Sequence, residues 1–258
     1  MDLETLDVDV NAATGVATLL IKRPEKLNAI TMAMRRGIVE VFDALGKDET
    51  VRVIVVRGAG DRAFSAGGDI PEFVQFPPHE LTELAHTVGA PERVRQPVIA
   101  AIDGLCFGGG LEFALACDFR IATDRSQFGF PEITLGALPG SGGTQRSVRL
   151  VGLTRAKMLV LTGRAIDAAR AEQWGLVSET VPFDALDSTV TELAERLASL
   201  SPIALKFAKA VLNKALDGSF ANGVEMEGKS MAILCGMEDF HEGVEAWKER
   251  RPPVFHGR

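Results

Sequence analysis

No window of the chain approaches the roughly 18 uninterrupted apolar residues of a membrane span. The first ten residues, MDLETLDVDV, are acidic and contain no apolar run. A secretory signal needs such a run, so the sequence reads as cytoplasmic, with no membrane partner. Cysteine is scarce. Cys106, Cys117 and Cys235 are odd in number and lack CxxC spacing, which argues against a disulfide framework and for buried free thiols in a reducing compartment. The four histidines, His79, His86, His241 and His256, form neither HExxH nor another paired-ligand spacing, so no metal site is expected. Clustered positive charge is missing too. Lys and Arg number 28 against 35 Asp and Glu, a net charge of −7, and they are scattered along the chain. That argues against nucleic acid or an anionic membrane as partner. A phosphorylated small molecule, which needs only a few local cations, remains allowed.

What is present is ordinary globular material. The 258 residues suffice for one large domain, or a domain with a small appendage, around a substantial core. VATLLIK (16–22), VRVIVVRG (51–58) and PVIAAIDG (97–104) read as strands, with DFRIAT (118–123) and LVSETV (176–181) as weaker ones. Between the first two lies a helix that Thr31 can cap, with Ile38, Val41, Phe42 and Leu45 at helical spacing. From 143 onward the pattern is helical, over 143–150, 153–161, 167–174, 184–199, 202–216, 220–234 and 239–249. Alternating strands and helices followed by helices alone predict an α/β core and a helical tail. Prolines bracketing a short helical pattern make 72–97 the expected mobile loop.

Familiar catalytic strings are incomplete. AFSAG (63–67) lacks the first glycine of a GxSxG elbow, so Ser65 reads as a turn serine. GAGDRAF lacks the third glycine of a dinucleotide loop, and there is no GKS or GKT. Three glycine-rich segments remain: FSAGGDI (64–70), GLCFGGGLEFALACD (104–118) and FGFPEITLGALPGSGGTQR (128–146). A helix starting near Gly109 would present free N–H groups and the positive end of its dipole. Glu112, three residues on, shares that face and leans back toward those amides. The same string also suits close helix packing with Glu112 in a salt bridge. Glu132 follows Pro131 among Phe128, Phe130, Ile133 and Leu135. There it is either a surface loop acid or a carboxyl whose pKa burial raises. Two carboxyls with separated pKa values would make an acid/base pair.

Taken together, RPEKLNAI (23–30), AFSAGGDI (63–70), AIDGLCFGGGLEFALACDFRIAT (101–123) and FGFPEITLGALPGSGGTQR (128–146) resemble the crotonase, or enoyl-CoA hydratase/isomerase, family. LTGRAIDAARAEQWGLVSETV (161–181) and EGVEAWKERRPPVFHGR (242–258) extend the resemblance over nearly the whole chain, vaguest at 72–97. It implies a ClpP/crotonase-like α/β spiral of β-β-α units over residues 1–197 and a helical oligomerisation region over 198–258, giving a homotrimer or a dimer of trimers. It further implies an acyl-CoA substrate and no cofactor beyond the CoA of that substrate. Mapped by motif, Gly68 and Gly109 would supply the oxyanion-hole amides. Glu112 would activate water for attack at Cβ and Glu132 would exchange the Cα proton. The carrier would lie along Lys26, Leu27 and Ala29 and along Ala66, Gly67, Asp69 and Ile70. Leu105, Gly108, Pro131 and Gly140 would line the site, and Lys26, or Lys248 and Arg250 of a neighbouring copy, would meet a phosphate. Retention of both acids favours hydration of a trans-2-enoyl-CoA. The alternatives are a specialised hydro-lyase or isomerase on a branched, aromatic or carnitine-linked acyl-CoA and, more remotely, a non-catalytic assembly module. Pro71 departs from the charged residue common after the Asp-Ile/Leu pair. No lysine row like that of the family's RNA-binding branch occurs.

Overall fold

The computed structural model describes residues 4–258. A hairpin, β1 (Leu6–Asn11) and β2 (Val16–Ile21), leads into α1 (Met32–Lys47), capped by Thr31, whose side chain accepts from Met34 N at 3.1 Å. Three turns of one pattern follow. In the first, β3 (Val53–Gly58) and β4 (Ala63–Ser65) precede the short helices α2 (Ile70–Phe73), α3 (Leu84–Thr87) and α4 (Ala90–Arg93). In the second, β5 (Val98–Ile102) and β6 (Leu105–Phe107) precede α5 (Gly109–Ala116). In the third, β7 (Phe119–Thr123) and β8 (Gln127–Gly129) precede α6 (Gly143–Thr162). Next come β9 (Ile166–Asp167), α7 (Ala168–Trp174), β10 (Glu179–Val181) and α8 (Leu186–Ala198), then α9 (Pro202–Lys214), α10 (Phe220–Cys235) and α11 (Glu238–Glu249).

Each turn gives one strand to each of two sheets, ordered β1-β2-β3-β5-β7-β10 and β4-β6-β8-β9. From β2 to β10 the larger sheet is parallel, and helices cover both of its faces. This is why its strands read as unbroken apolar runs rather than alternating ones. In β3, Ile54 and Val56 enter the main core with Phe42, Phe113 and Phe128, whereas Val53 and Val55 pack with Val190 and Ala194 of α8.

The two helical segments expected at 143–150 and 153–161 are both present within α6, separated at Gly152, whose φ of 79° and ψ of 161° are not helical. The loop at 72–97 is more structured than its sequence suggests. Val88, Ala90 and Val94 are buried in the main core, so its second half is anchored. Pro71, where the charged residue is absent, sits in the first turn of α2, a position that needs no amide hydrogen.

Candidate active site

The small sheet assembles the three glycine-rich segments. β4, β6 and β8 are parallel, with Ala63 facing Leu105, Leu105 facing Gln127, and Cys106 facing Phe128. Their C-terminal ends therefore lie side by side, and the residues that follow, Ala66–Gly68, Gly108–Gly109 and Phe130–Glu132, converge at one edge. Helix α5 starts at Gly109, so its first amides point into that convergence. Among the described residues, neither Gly68 N nor Gly109 N donates to a protein acceptor.

Glu112, 2% exposed, is held by two amides: its Oε1 accepts from Ser141 N at 2.6 Å and Gly143 N at 2.8 Å. Among the described residues the salt bridge considered for it does not form. Its second oxygen is left for other work. Gly108 joins the two acids. Its carbonyl accepts from Glu112 N at 2.9 Å, and a Cβ added to it would lie 2.9 Å from Glu132 Oε1, at a φ of 50° that side chains rarely adopt. Glu132 Oε2 is buried without a partner. Burial pushes the Glu132 carboxyl up to about 7. Its own backbone amide pulls the other way, and the nearby charge of Glu112 adds to the rise. The expected apolar wall is half right. Phe128 and Phe130 are fully buried, but Ile133 and Leu135 are 40% and 60% exposed, so they do not enclose the acid.

The loop at 23–30 is stitched to the one at 63–70. Ala66 N donates to Leu27 O, Ile30 N to Gly67 O, and Asp69 N to Ile30 O, while Arg23 Nη1 bonds Ala29 O at 2.8 Å and Asp69 at 3.1 Å. Leu27, Ala29, Ala66, Gly67, Gly68 and Asp69 are thus brought together, with Leu105 on the neighbouring strand and Pro131 beside Glu132. Lys26 and Ile70 are exposed at its rim. Gly140 is exposed in the loop before α6 and packs against none of these residues. Lys248 pairs with Glu245 on its own helix, and no hydrogen bond or ion pair joins Lys248 or Arg250 to the convergence. Ser65 is the last residue of β4 rather than a turn serine, and its Oγ is taken up structurally, donating to Asn28 O and accepting from Gly67 N. Cys106 and Cys117 are buried. Burial lifts both thiols, Cys117 to about 12, so neither is a ready nucleophile.

Sequence reasoning missed Asn28 and Arg35. Asn28 and Leu27 both adopt positive φ, 55° and 51°. The Asn28 amide donates to Ala59 O and Ala63 O and accepts from Arg23 N, fastening the loop in that shape. Only its tolerance of left-handed backbone marks it in the sequence. Asn28→Ala should cost about 2–4 kcal/mol, since one buried and two half-buried backbone groups lose partners. It should also raise KM for acyl-CoA more than it lowers kcat, as denaturant unfolding and steady-state kinetics would show. Arg35 is 2% exposed on α1. Its Nη1 donates to Ser141 Oγ at 3.1 Å and Thr87 Oγ1 at 3.4 Å, and its guanidinium stacks on Phe73 at 5.6 Å. Burial pulls its pKa below the ordinary arginine value, and Glu112 and Glu72 act in the opposite direction.

Among the described residues no group of three or more His, Cys, Asp or Glu could hold a metal ion, and no helix is long and apolar enough to cross a membrane. Two amides at the edge of a stacked parallel sheet, flanked by two differently placed carboxyls, lie at the centre of an α/β fold with a crotonase-type spiral of strand-strand-helix turns. The sequence profile of the enoyl-CoA hydratase/isomerase family matches residues 11–258. A probable enoyl-CoA hydratase of Rhizobium meliloti is 41% identical over the whole of both chains. The 2,3-dehydroadipyl-CoA hydratase of Escherichia coli is 36% identical over 96% of this chain and 98% of its own. The crystal structure of enoyl-CoA hydratase from Bacillus anthracis superposes with a TM-score of 0.94 at 36% identity, covering 98% of this chain and all of that one. The chain belongs to the enoyl-CoA hydratase/isomerase family.

Proposed function

We propose that this enzyme reversibly adds water across a trans-2-enoyl-CoA to give a 3-hydroxyacyl-CoA. The observation that carries the reading is the meeting of Glu112 and Glu132 at Gly108, beside two amides free to donate. Gly68 N and Gly109 N receive the thioester oxygen as it gains charge. Glu112, anchored through Oε1, uses Oε2 to take a proton from the water attacking Cβ. Glu132, protonated in its buried setting, delivers a proton to Cα. The chemistry calls on nothing beyond the CoA of the substrate, because the thioester itself acidifies Cα. The stitched loops containing Lys26, Leu27, Ala29, Ala66, Asp69 and Ile70 carry the CoA arm, with Lys248 and Arg250 of a neighbouring copy near its phosphates. In this reading residues 1–197 form the catalytic spiral of a cytoplasmic enzyme, and 198–258 join copies into a trimer or a dimer of trimers. Supporting that association, Leu212, Phe220, Met231, Ile233 and Trp247 on the terminal helices and Leu216 in the turn after α9 are exposed.

The test is turnover of enoyl-CoAs of graded length, with mass spectrometry of the product, followed by pH profiles in both directions. Hydration starts with Glu112 ionised and Glu132 protonated, and dehydration starts with the converse. Both forms carry one proton on the pair, and the net reaction takes up none, so kcat/KM must follow one profile in both directions. We expect it to fall above about pH 7, as Glu132 loses its proton. Failure to hydrate any enoyl-CoA, or a profile flat through that region, would refute the assignment.

A further inference from the structure

We infer that Arg35 is a third, charged donor to the thioester oxygen, completing with Gly68 N and Gly109 N an oxyanion site that carries a full positive charge. The inference rests on the reading of the two amides as that site and assigns it a further catalytic residue.

The geometry singles out one point. A Cβ built on Gly109 would lie 2.9 Å from Arg35 Nη2 and 3.5 Å from Gly68 N. Covalent geometry puts the same point about 2.5 Å from Gly109 N. Three N–H groups from α1, from the turn after β4 and from the start of α5 therefore surround a space that glycine at 109 keeps open. Among the described residues Gly68 N and Gly109 N have no protein acceptor, and of the three guanidinium nitrogens of Arg35 only Nη1 donates, to the hydroxyls of Ser141 and Thr87. Nε is buried and unpartnered.

A guanidinium buried against two hydroxyls and a phenyl ring, with Glu112 and Glu72 near enough to act on its charge but neither paired with it, is unfavourable unless an anion arrives to meet it. Glu112 is not that anion, since no oxygen of it comes within ion-pair distance of Arg35 and its Oε1 is occupied by two amides. A carboxylate far along an acyl chain would need a cation beyond Cβ, whereas Nη2 stands at the thioester end. The charge that forms there is the enolate oxygen. A neutral carbonyl gains little from a nearby cation and an enolate gains much, so the interaction strengthens as the transition state is approached. Hydrogen bonds from Nη1 and stacking on Phe73 fix the direction of the guanidinium before substrate binds.

The experiment compares wild type with Arg35→Met, Arg35→Gln and Arg35→Lys by two readouts. The first is hydration of trans-2-hexenoyl-CoA. The second is the absorption of bound 4-dimethylaminocinnamoyl-CoA, a chromophore that shifts to the red as its carbonyl oxygen is polarised and that needs no turnover. We expect Arg35→Met and Arg35→Gln to lower kcat on the order of 100-fold, with KM changed little, and to reduce the red shift. Arg35→Lys should recover part of both. Loss of Arg35 acting merely through Ser141 on Glu112 would slow hydration but leave the red shift intact, and that result overturns the inference. So would wild-type rates in the Met and Gln variants, or a defect confined to acyl groups bearing a carboxylate. Should Arg35→Met not fold, the smaller change to Gln carries the comparison. A wild-type red shift without hydration of any enoyl-CoA would refute the hydratase reading and still test Arg35. Absence of any wild-type red shift would refute the shared oxyanion site and the inference with it.

Discussion

Replacing either Glu112 or Glu132 by glutamine is expected to lower hydration about 10²- to 10⁴-fold, while acyl-CoA affinity stays within a few fold of wild type. The two changes are clean for different reasons. At position 112 the glutamine carbonyl can still accept from Ser141 N and Gly143 N, so the side chain keeps its place. What disappears is an oxygen basic enough to take a proton from water. At position 132 the carboxyl is largely buried, with Oε2 lacking a partner, so a neutral amide fits the setting at least as well as an ionised group. What disappears there is an acidic proton for Cα. Because the acids serve one reaction, removing both should cost little more than removing the first. Loss of the conjugated enoyl absorbance measures the rate, and titration with a saturated acyl-CoA measures binding. Full activity in both variants would rule out the two-acid mechanism.

These acids were legible because each stood in a local string with its own chemistry, Glu112 one turn after GGG and Glu132 after a proline. What brings them together was not. β4, β6 and β8 have only three residues each, and β9 two, too few for periodicity to register. Their parallel register stacks the three glycine-rich segments, and it exists only once the chain has completed its turns. Arg35 shows a different kind of blindness. Beside Arg36, which is exposed, it reads as one more solvated charge on α1. It precedes Ile38 by three residues and Phe42 by seven, so helical spacing places it in the apolar stripe. A cation on that stripe was the available sign. Ile133 and Leu135 adjoin Glu132 in sequence but do not wall it in. A 3-10 turn over Pro131–Leu135 directs them outward.

The most destabilising single change should be far from the reacting atoms. Lys209 of α9 reaches into the core, where its Nζ donates to Pro91 O at 2.8 Å, Gln96 O at 2.8 Å and Asp118 Oδ2 at 2.7 Å. Asp118 Oδ2 also accepts from Val98 N at 2.7 Å. One ammonium thus ties the tail helix to the anchored end of the 72–97 loop, to the start of β5 and to the residue that leads from α5 into β7. Lys209→Met leaves two carbonyls without a donor and a partly buried carboxylate without its paired cation, a defect worth about 3–5 kcal/mol. Burial already holds the Asp118 carboxyl above its usual range, and Lys209 pulls it back. Without the lysine, the folded-state pKa should rise further above the unfolded value of about 3.9. The native state then binds more protons than the unfolded one, so stability increases as pH falls. The penalty of Lys209→Met should therefore shrink between pH 7 and pH 5. Adding Asp118→Asn should recover part of it at pH 7, because the unpaired charge is gone. Urea unfolding at both pH values measures this. A penalty below about 1 kcal/mol, within the range of an exposed ion pair, would show that the tail helix is held by its apolar contacts alone.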